Sequence, residues 1–234
     1  MLKIFVIILL LISTNVIAKG RIKLDTTPQN DSKEDSPWTL NTELDYYHIP
    51  NQVNQNTGVT NPTDTYYFAG SLGYTTKFGT TISINTSNAP IAGGGAQNIQ
   101  SLSGIMLSQN FIINKYFDAS IGTQNMTVFF GKMRLYNFDY SLLTFKANEN
   151  ISFHFGGYYA SKALTLTSNT LAYTGGVVIK LDKFNIEGDW FADHTNVSGG
   201  NINLFYKNYY VGAIIPAHNS GNEFAGVGGY RMSF

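Results

Sequence analysis

Ser152 and His154 stand two residues apart, which in an extended chain puts a hydroxyl and an imidazole on one face, and Asp193 directly precedes His194. A nucleophilic serine beside a histidine that a third group orients is the equipment of acyl-transfer chemistry. The charged residues form a second set. Glu43 with Asp45, and Glu187 with Asp189, are spaced by two; Asp118, Asp139 and Asp193 join them, opposed by Arg134, Lys180, Arg231 and Lys207. Such charges lining a cavity sort ions and small polar solutes. A third set is aromatic: Tyr47, Tyr67, Tyr158, Phe191, Phe205 and Tyr210 are read onto the same inward faces, either to fill space or to stack against a sugar-like or nucleoside-like solute.

Other chemistries find no footing. The four histidines share no short spacing and cysteine is absent, so neither a metal centre nor a disulfide framework is expected, and no cofactor either. Gly93, Gly94 and Gly95 lie among Ala, Asn and Gln, not between a strand and a helix, so they do not read as a phosphate cradle. With 15 basic and 15 acidic residues the chain lacks the basic excess of a nucleic-acid binder.

The elements that must position these residues follow from patterning. Only 13% of the chain is charged, against about 25% in an ordinary soluble domain, while it carries 15 Tyr and 16 Phe; much of its surface is therefore expected to face something other than water. Met1 to Ala18 has one early Lys3, an unbroken apolar run from Ile4 to Ile12, and small residues Val16 and Ala18 at the −3 and −1 places of a cleavage site. It reads as a cleaved signal peptide, because nine apolar residues cannot cross roughly 30 Å of hydrocarbon as a helix. Lys19 to Pro37 is charged and almost without apolar residues after Leu24, and reads as a flexible periplasmic tail.

From Trp38 to Phe234 the period is two. Trp38, Leu40, Thr42, Leu44 and Tyr46 oppose Asn41, Glu43, Asp45 and Tyr47; Phe117, Ala119 and Ile121 oppose Asp118, Ser120 and Gln124; Tyr136, Phe138, Tyr140 and Leu142 oppose Asn137, Asp139 and Ser141. The split recurs with Ile151, Phe153, Phe155 and Tyr159 against Ser152, His154 and Tyr158, and with Phe184, Ile186 and Trp190 against Asn185, Glu187, Asp189 and Asp193. Near Ser101 to Ile113 the faces are mixed. Apolar stripes carrying Trp38, Tyr46, Tyr74, Tyr136, Tyr159, Trp190 and Tyr209 place amphipathic rings where lipid headgroups meet a barrel wall. A soluble sandwich also alternates, but it does not call for such girdles.

Tight connections at Lys77 to Gly79, Asn114 to Tyr116, Lys146 to Asn150, Leu181 to Lys183 and Tyr206 to Asn208 alternate with longer ones at Asn51 to Asp64, Thr86 to Asn98, Asn125 to Met133, Ser161 to Thr170, Thr195 to Asn201 and Pro216 to Glu223. Short periplasmic turns and longer outer loops alternate in this way in membrane barrels. The expected fold is an all-β, closed, antiparallel, up-and-down transmembrane β-barrel of about twelve strands, with ten and fourteen as the neighbouring counts.

The final segment, Phe224 to Phe234, places Tyr230, Met232 and Phe234 on one face and ends on the aromatic. This resembles the C-terminal assembly signal of Gram-negative outer-membrane β-barrel proteins. The stretch from Glu187, with its GDW, is similar to the ends of small porin-like proteins. The resemblance implies location in the outer membrane, contact with its lipid, and insertion by the barrel assembly machinery.

If the apolar stripes face lipid, then Glu43, Asp45, Asp118, Asp139, Lys180, Glu187, Asp189, Asp193 and Arg231 line a lumen together with Tyr47, Tyr67, Tyr158, Phe191 and Tyr210. The leading expectation is a porin-like channel for passive diffusion of small solutes, mildly selective for cations. The alternatives are a plugged barrel presenting adhesive outer loops and, from a different class, a lipid-modifying enzyme. The last requires a serine and histidine reachable from lipid, whereas Ser152 and His154 are assigned inward.

Overall fold

The computed structural model describes residues 37–53, 60–90, 99–128, 135–165, 168–195, 197–218 and 224–233. The signal-peptide and tail readings, the glycine run at 93–95 and Phe234 lie outside them. The strands are β1 (Trp38–Val53), β2 (Thr60–Thr75), β3 (Thr80–Pro90), β4 (Ile99–Ile112), β5 (Phe117–Val128), β6 (Leu135–Lys146), β7 (Ile151–Ala160), β8 (Thr170–Lys180), β9 (Phe184–Phe191), β10 (Gly199–Tyr206), β11 (Tyr209–Pro216) and β12 (Ala225–Ser233), with a short helix α1 (Lys162–Thr165) between β7 and β8. Each pairs antiparallel with its neighbours in sequence, and β12 closes on β1 through the register Asn41↔Ser233 to His48↔Gly226. The structure is thus a closed, twelve-stranded, up-and-down barrel, and no sheet edge is left open.

The tight ends are fixed by local chemistry. Asn114 Oδ1 accepts from the amides of Tyr116 and Phe117, and Asn148 Oδ1 accepts from those of Asn150 and Ile151, so two turns are closed by the same side-chain mimic of a backbone turn. Gly79, at φ 81, takes the left-handed conformation in the β2–β3 turn, where an added Cβ would lie 2.6 Å from the Asn110 carbonyl oxygen. At the opposite end the first three hairpins run further than their composition predicts: β1 and β2 reach Val53 and Thr60, β3 and β4 reach Pro90 and Ile99, and β5 continues through Asn125 to Val128. Those rungs mix Asn, Gln, Thr and Ser with isolated apolar residues such as Val53, Ile99 and Val128, and therefore carry no continuous stripe to read.

Outside, the wall is largely apolar and ends in ring pairs at the tight-turn end: Trp38 against Tyr74, Phe117 against Phe145, Phe184 against Tyr206, and Tyr209 against Tyr230, with centroids 4.9 to 5.3 Å apart. Tyr46 against Tyr66, together with Tyr173 and Trp190, marks the other edge on the outer surface. This is the arrangement of aromatic girdles around an apolar band. β6 corrects the reading of its faces. Tyr136, Phe138, Tyr140 and Leu142 are buried inside the barrel, and Tyr136 does not belong to the girdle; Leu135 and Phe145 are exposed outside on the face shared with Asn137, Asp139 and Ser141. The mixed stretch in β4 resolves with Ile105 and Leu107 outside and Met106 partly buried against the interior cluster.

Candidate functional site

The register of the closing strands assembles the densest charge cluster of the interior. Glu43 of β1 pairs with Arg231 of β12, and Asp45 and Tyr47 follow on the same inward face. Arg231 Nη2 lies 3.4 Å from Glu43 Oε1, and its Nη1 reaches over the interior to Glu187 Oε2 of β9 at 3.3 Å. On the way the guanidinium passes 4.5 Å from the ring centroid of Phe205 and 5.8 Å from that of Tyr210, so one cation is held by two carboxylates and two rings. The Tyr210 hydroxyl is hydrogen-bonded to Asp45 Oδ1 and stands 3.1 Å from Glu43 Oε1. Tyr47, Phe205, Tyr210, Ala225 and Val227 pack as one cluster around this strap.

A second cluster fills the interior of β6 to β9. Phe138 stacks on Tyr158 at 5.4 Å, and Phe191 meets Tyr158 edge-on at 5.4 Å and Phe138 at 6.2 Å. Tyr140, Leu142, Ala160 and Val197 complete it. Leu164 of α1 packs against it from the β7–β8 connection and Ala163 packs beside Tyr136, so this connection folds into the barrel mouth. The β9–β10 connection does likewise: Tyr158 Oη donates to the Ala192 carbonyl, and Thr170 Oγ1 donates to Asp193 Oδ2, holding Asp193 at φ 129. Below this cluster His154 Nε2 lies 2.8 Å from Asp189 Oδ1.

Three rings are seated on glycines directly opposite them in register: Tyr140 on Gly122, His154 on Gly176 and Tyr210 on Gly229. A Cβ at Gly122, Gly176 or Gly229 would lie 2.4 to 2.5 Å from the facing ring. The glycines hold the rings flat against the wall and so set how far they project into the lumen. Gly229→Val should therefore lift Tyr210 away from Asp45 and Glu43 and lower stability by about 1 to 3 kcal/mol, read as an earlier urea midpoint for the refolded barrel; an unchanged midpoint refutes the seating.

The structure divides the predicted set. Glu43, Asp45, Glu187, Asp189 and Arg231 share the interior, with Glu43, Glu187 and Arg231 in one ion-pair chain. Asp118 stands apart at the tight-turn end, 2.5 Å from Lys146 Nζ, and Lys180 takes an even, inward register position near that end. Lys146 was hidden in sequence because it read as a turn residue. Asp139 is corrected: it lies on the outer wall, opposite Tyr159. Asp193 belongs to the folded-in connection, not to a strand. Tyr47 and Tyr210 fall in one aromatic cluster and Tyr158 and Phe191 in the other, so they form no single track. Tyr67 pairs in register with Asp45. His154 was visible, but only the strand pairing supplies its partner Asp189. No hydrogen bond joins it to Ser152, and among the described residues no group of three His, Asp or Glu is placed to hold a metal ion.

No protein-family model matches the chain, and no curated protein does. Among solved structures it is similar to a chain from work on asymmetric conductivity of engineered proteins, with TM-score 0.38 and 8% identity over 84% of this chain and 99% of that one. It is also similar to a triple mutant of the Rh. blastica porin, with TM-score 0.37 and 7% identity over the same shares.

Proposed function

We propose that this chain is an outer-membrane barrel that lets small polar or ionic solutes pass by diffusion, with a preference for cations. The observation that carries the reading is the state of the interior acids: Glu187 and Asp189 keep 30% and 26% side-chain exposure inside a wall whose outer face is mostly apolar. Carboxylates in a dry core are costly, so partly exposed acids on the inward face support a water-filled interior, and that interior would be the path. Glu43, Asp45, Glu187 and Asp189 face Arg231 and His154, so the path carries an acidic excess. Export by the N-terminal segment and insertion by the barrel assembly machinery belong to this proposal.

One observation favours a second reading. The Phe138, Tyr158 and Phe191 cluster, capped by α1, fills part of the interior, as a plugged barrel displaying its outer loops would. An enzyme is disfavoured by position, because His154 is buried on the inner side, where a bilayer lipid does not reach. Refolded protein in a planar bilayer decides between path and plug. Discrete current steps are expected, with a reversal potential of cation-selective sign under a salt gradient; a silent bilayer replaces the channel with the plugged anchor.

A further inference from the structure

One sector of the outer wall does not suit lipid. Counting outward rungs from the tight-turn end, the fourth is Leu44–Phe68 on β1–β2, Gly157–Tyr173 on β7–β8 and Trp190–Gly200 on β9–β10. On β3–β4 it is Thr86–Ser103, and on β5–β6 it is Thr123–Asp139 followed by Asn125–Asn137. Four adjacent strands thus turn polar at a height where the rest of the wall is apolar or aromatic. Asn137 Nδ2 donates to Asp139 Oδ1 at 2.9 Å and to Asn125 Oδ1 at 3.1 Å, and Asn125 Nδ2 donates to Thr123 Oγ1 at 3.0 Å. The sector is not simply the point where the wall emerges into water, because Leu135, 62% exposed, stands on the same face one rung above Asn137.

We propose that this sector is the contact surface for a second copy of the chain, related by a two-fold axis along the membrane normal between β5 and β6. That axis keeps both copies in one orientation in the bilayer and brings each β5 against the β6 of its mate. Thr123 and Asp139 share a rung, as do Asn125 and Asn137. The Thr123 hydroxyl of one copy then faces the Asp139 carboxylate of the other, and the two amides face each other, so donors meet acceptors without a carboxylate meeting a carboxylate. Small and polar side chains of this kind join membrane segments where apolar surface gives no drive to associate. A phosphate-bearing headgroup fits less well: the described outward positions of β3 to β6 hold Asp139 and no basic residue to receive it.

The proposal rests on the wall facing lipid, and the test separates the two. The chain has no cysteine, so Thr123→Cys introduces the only thiol, and Ile202→Cys on the far outer wall is its control. In vesicles a short bismaleimide should link Thr123→Cys into dimers and leave Ile202→Cys monomeric, and adding Asn125→Leu with Asn137→Leu to Thr123→Cys should remove the dimer. Failure of Thr123→Cys to link, equal linking at Ile202→Cys, or a dimer that survives both leucines overturns the interface. Trp38 and Trp190, the two tryptophans, both exposed outside, report separately through quenching by lipids with brominated chains. Quenching without dimers sinks the interface alone; no quenching sinks the membrane reading with it.

Discussion

Arg231→Gln should make the proposed pore markedly more cation-selective and the barrel less stable. The guanidinium is the cation shared by Glu43 and Glu187, and its side chain is only 17% exposed. Removing it leaves two carboxylates, with Asp45 close by, unneutralised around one stretch of the path. Breaking a buried pair in this way costs about 3 to 5 kcal/mol, and the remaining field raises cation over anion permeability severalfold. Arg231→Lys separates charge from geometry, since one ammonium cannot span from Glu43 to Glu187 as the two ends of the guanidinium do. It should keep most of the selectivity and lose part of the stability. The double variant Glu43→Gln with Arg231→Gln should recover stability relative to the single one, because the coupling is local. Reversal potentials and urea midpoints measure the two effects; a selectivity unchanged in Arg231→Gln places the strap off the conducting path.

The second large effect is expected at the aromatic cluster. Truncating Phe138 and Tyr158 to alanine removes two of three mutually packed rings and the hydroxyl that holds the Ala192 carbonyl, freeing the β9–β10 connection. Each truncation costs about 3 to 5 kcal/mol if the site cannot collapse, so the measurement is made on barrels already refolded into bilayers. Unit conductance should rise severalfold and its cation preference should fall, as a wider water column screens the acids. Unchanged conductance would mean that current never passes β6 to β9 and runs wholly beside the Arg231 strap.

Closure and strand count were legible because they rest on quantities a sequence carries: alternation, short turn signals and the difference between tight and long connections. Asn114, Asn148 and Gly79 announce three turns directly. What alternation does not carry is which face points in. On β6 an aromatic stripe, Tyr136 to Leu142, lies opposite a polar one, Asn137 to Ser141, and transfer free energy alone sends the rings to lipid. Register decides otherwise: Tyr140 is placed opposite Gly122 and Tyr158, inside, where a closed wall must fill its volume. The Arg231 strap was legible as residues but not as a site, since Glu43 and Arg231 are neighbours only once the first and last strands close. Asp139 was misread for the same reason as its strand.

The wall is not of even height. β1 and β2 run for sixteen residues each, whereas β9, β10 and β11 run for eight, so one side of the rim stands higher by roughly 20 Å. Such a rim is a scoop, not a ring. On the proposed channel reading, solute drifting along the membrane surface would meet a low lip on the β9 to β11 side and a barrier on the other, so capture would be directional. Two copies joined at β5 and β6 would each turn the β9 to β11 lip away from the mate, since β10, at the middle of that side, lies four strands beyond β6 around the ring, and each would draw on its own half of the surrounding surface.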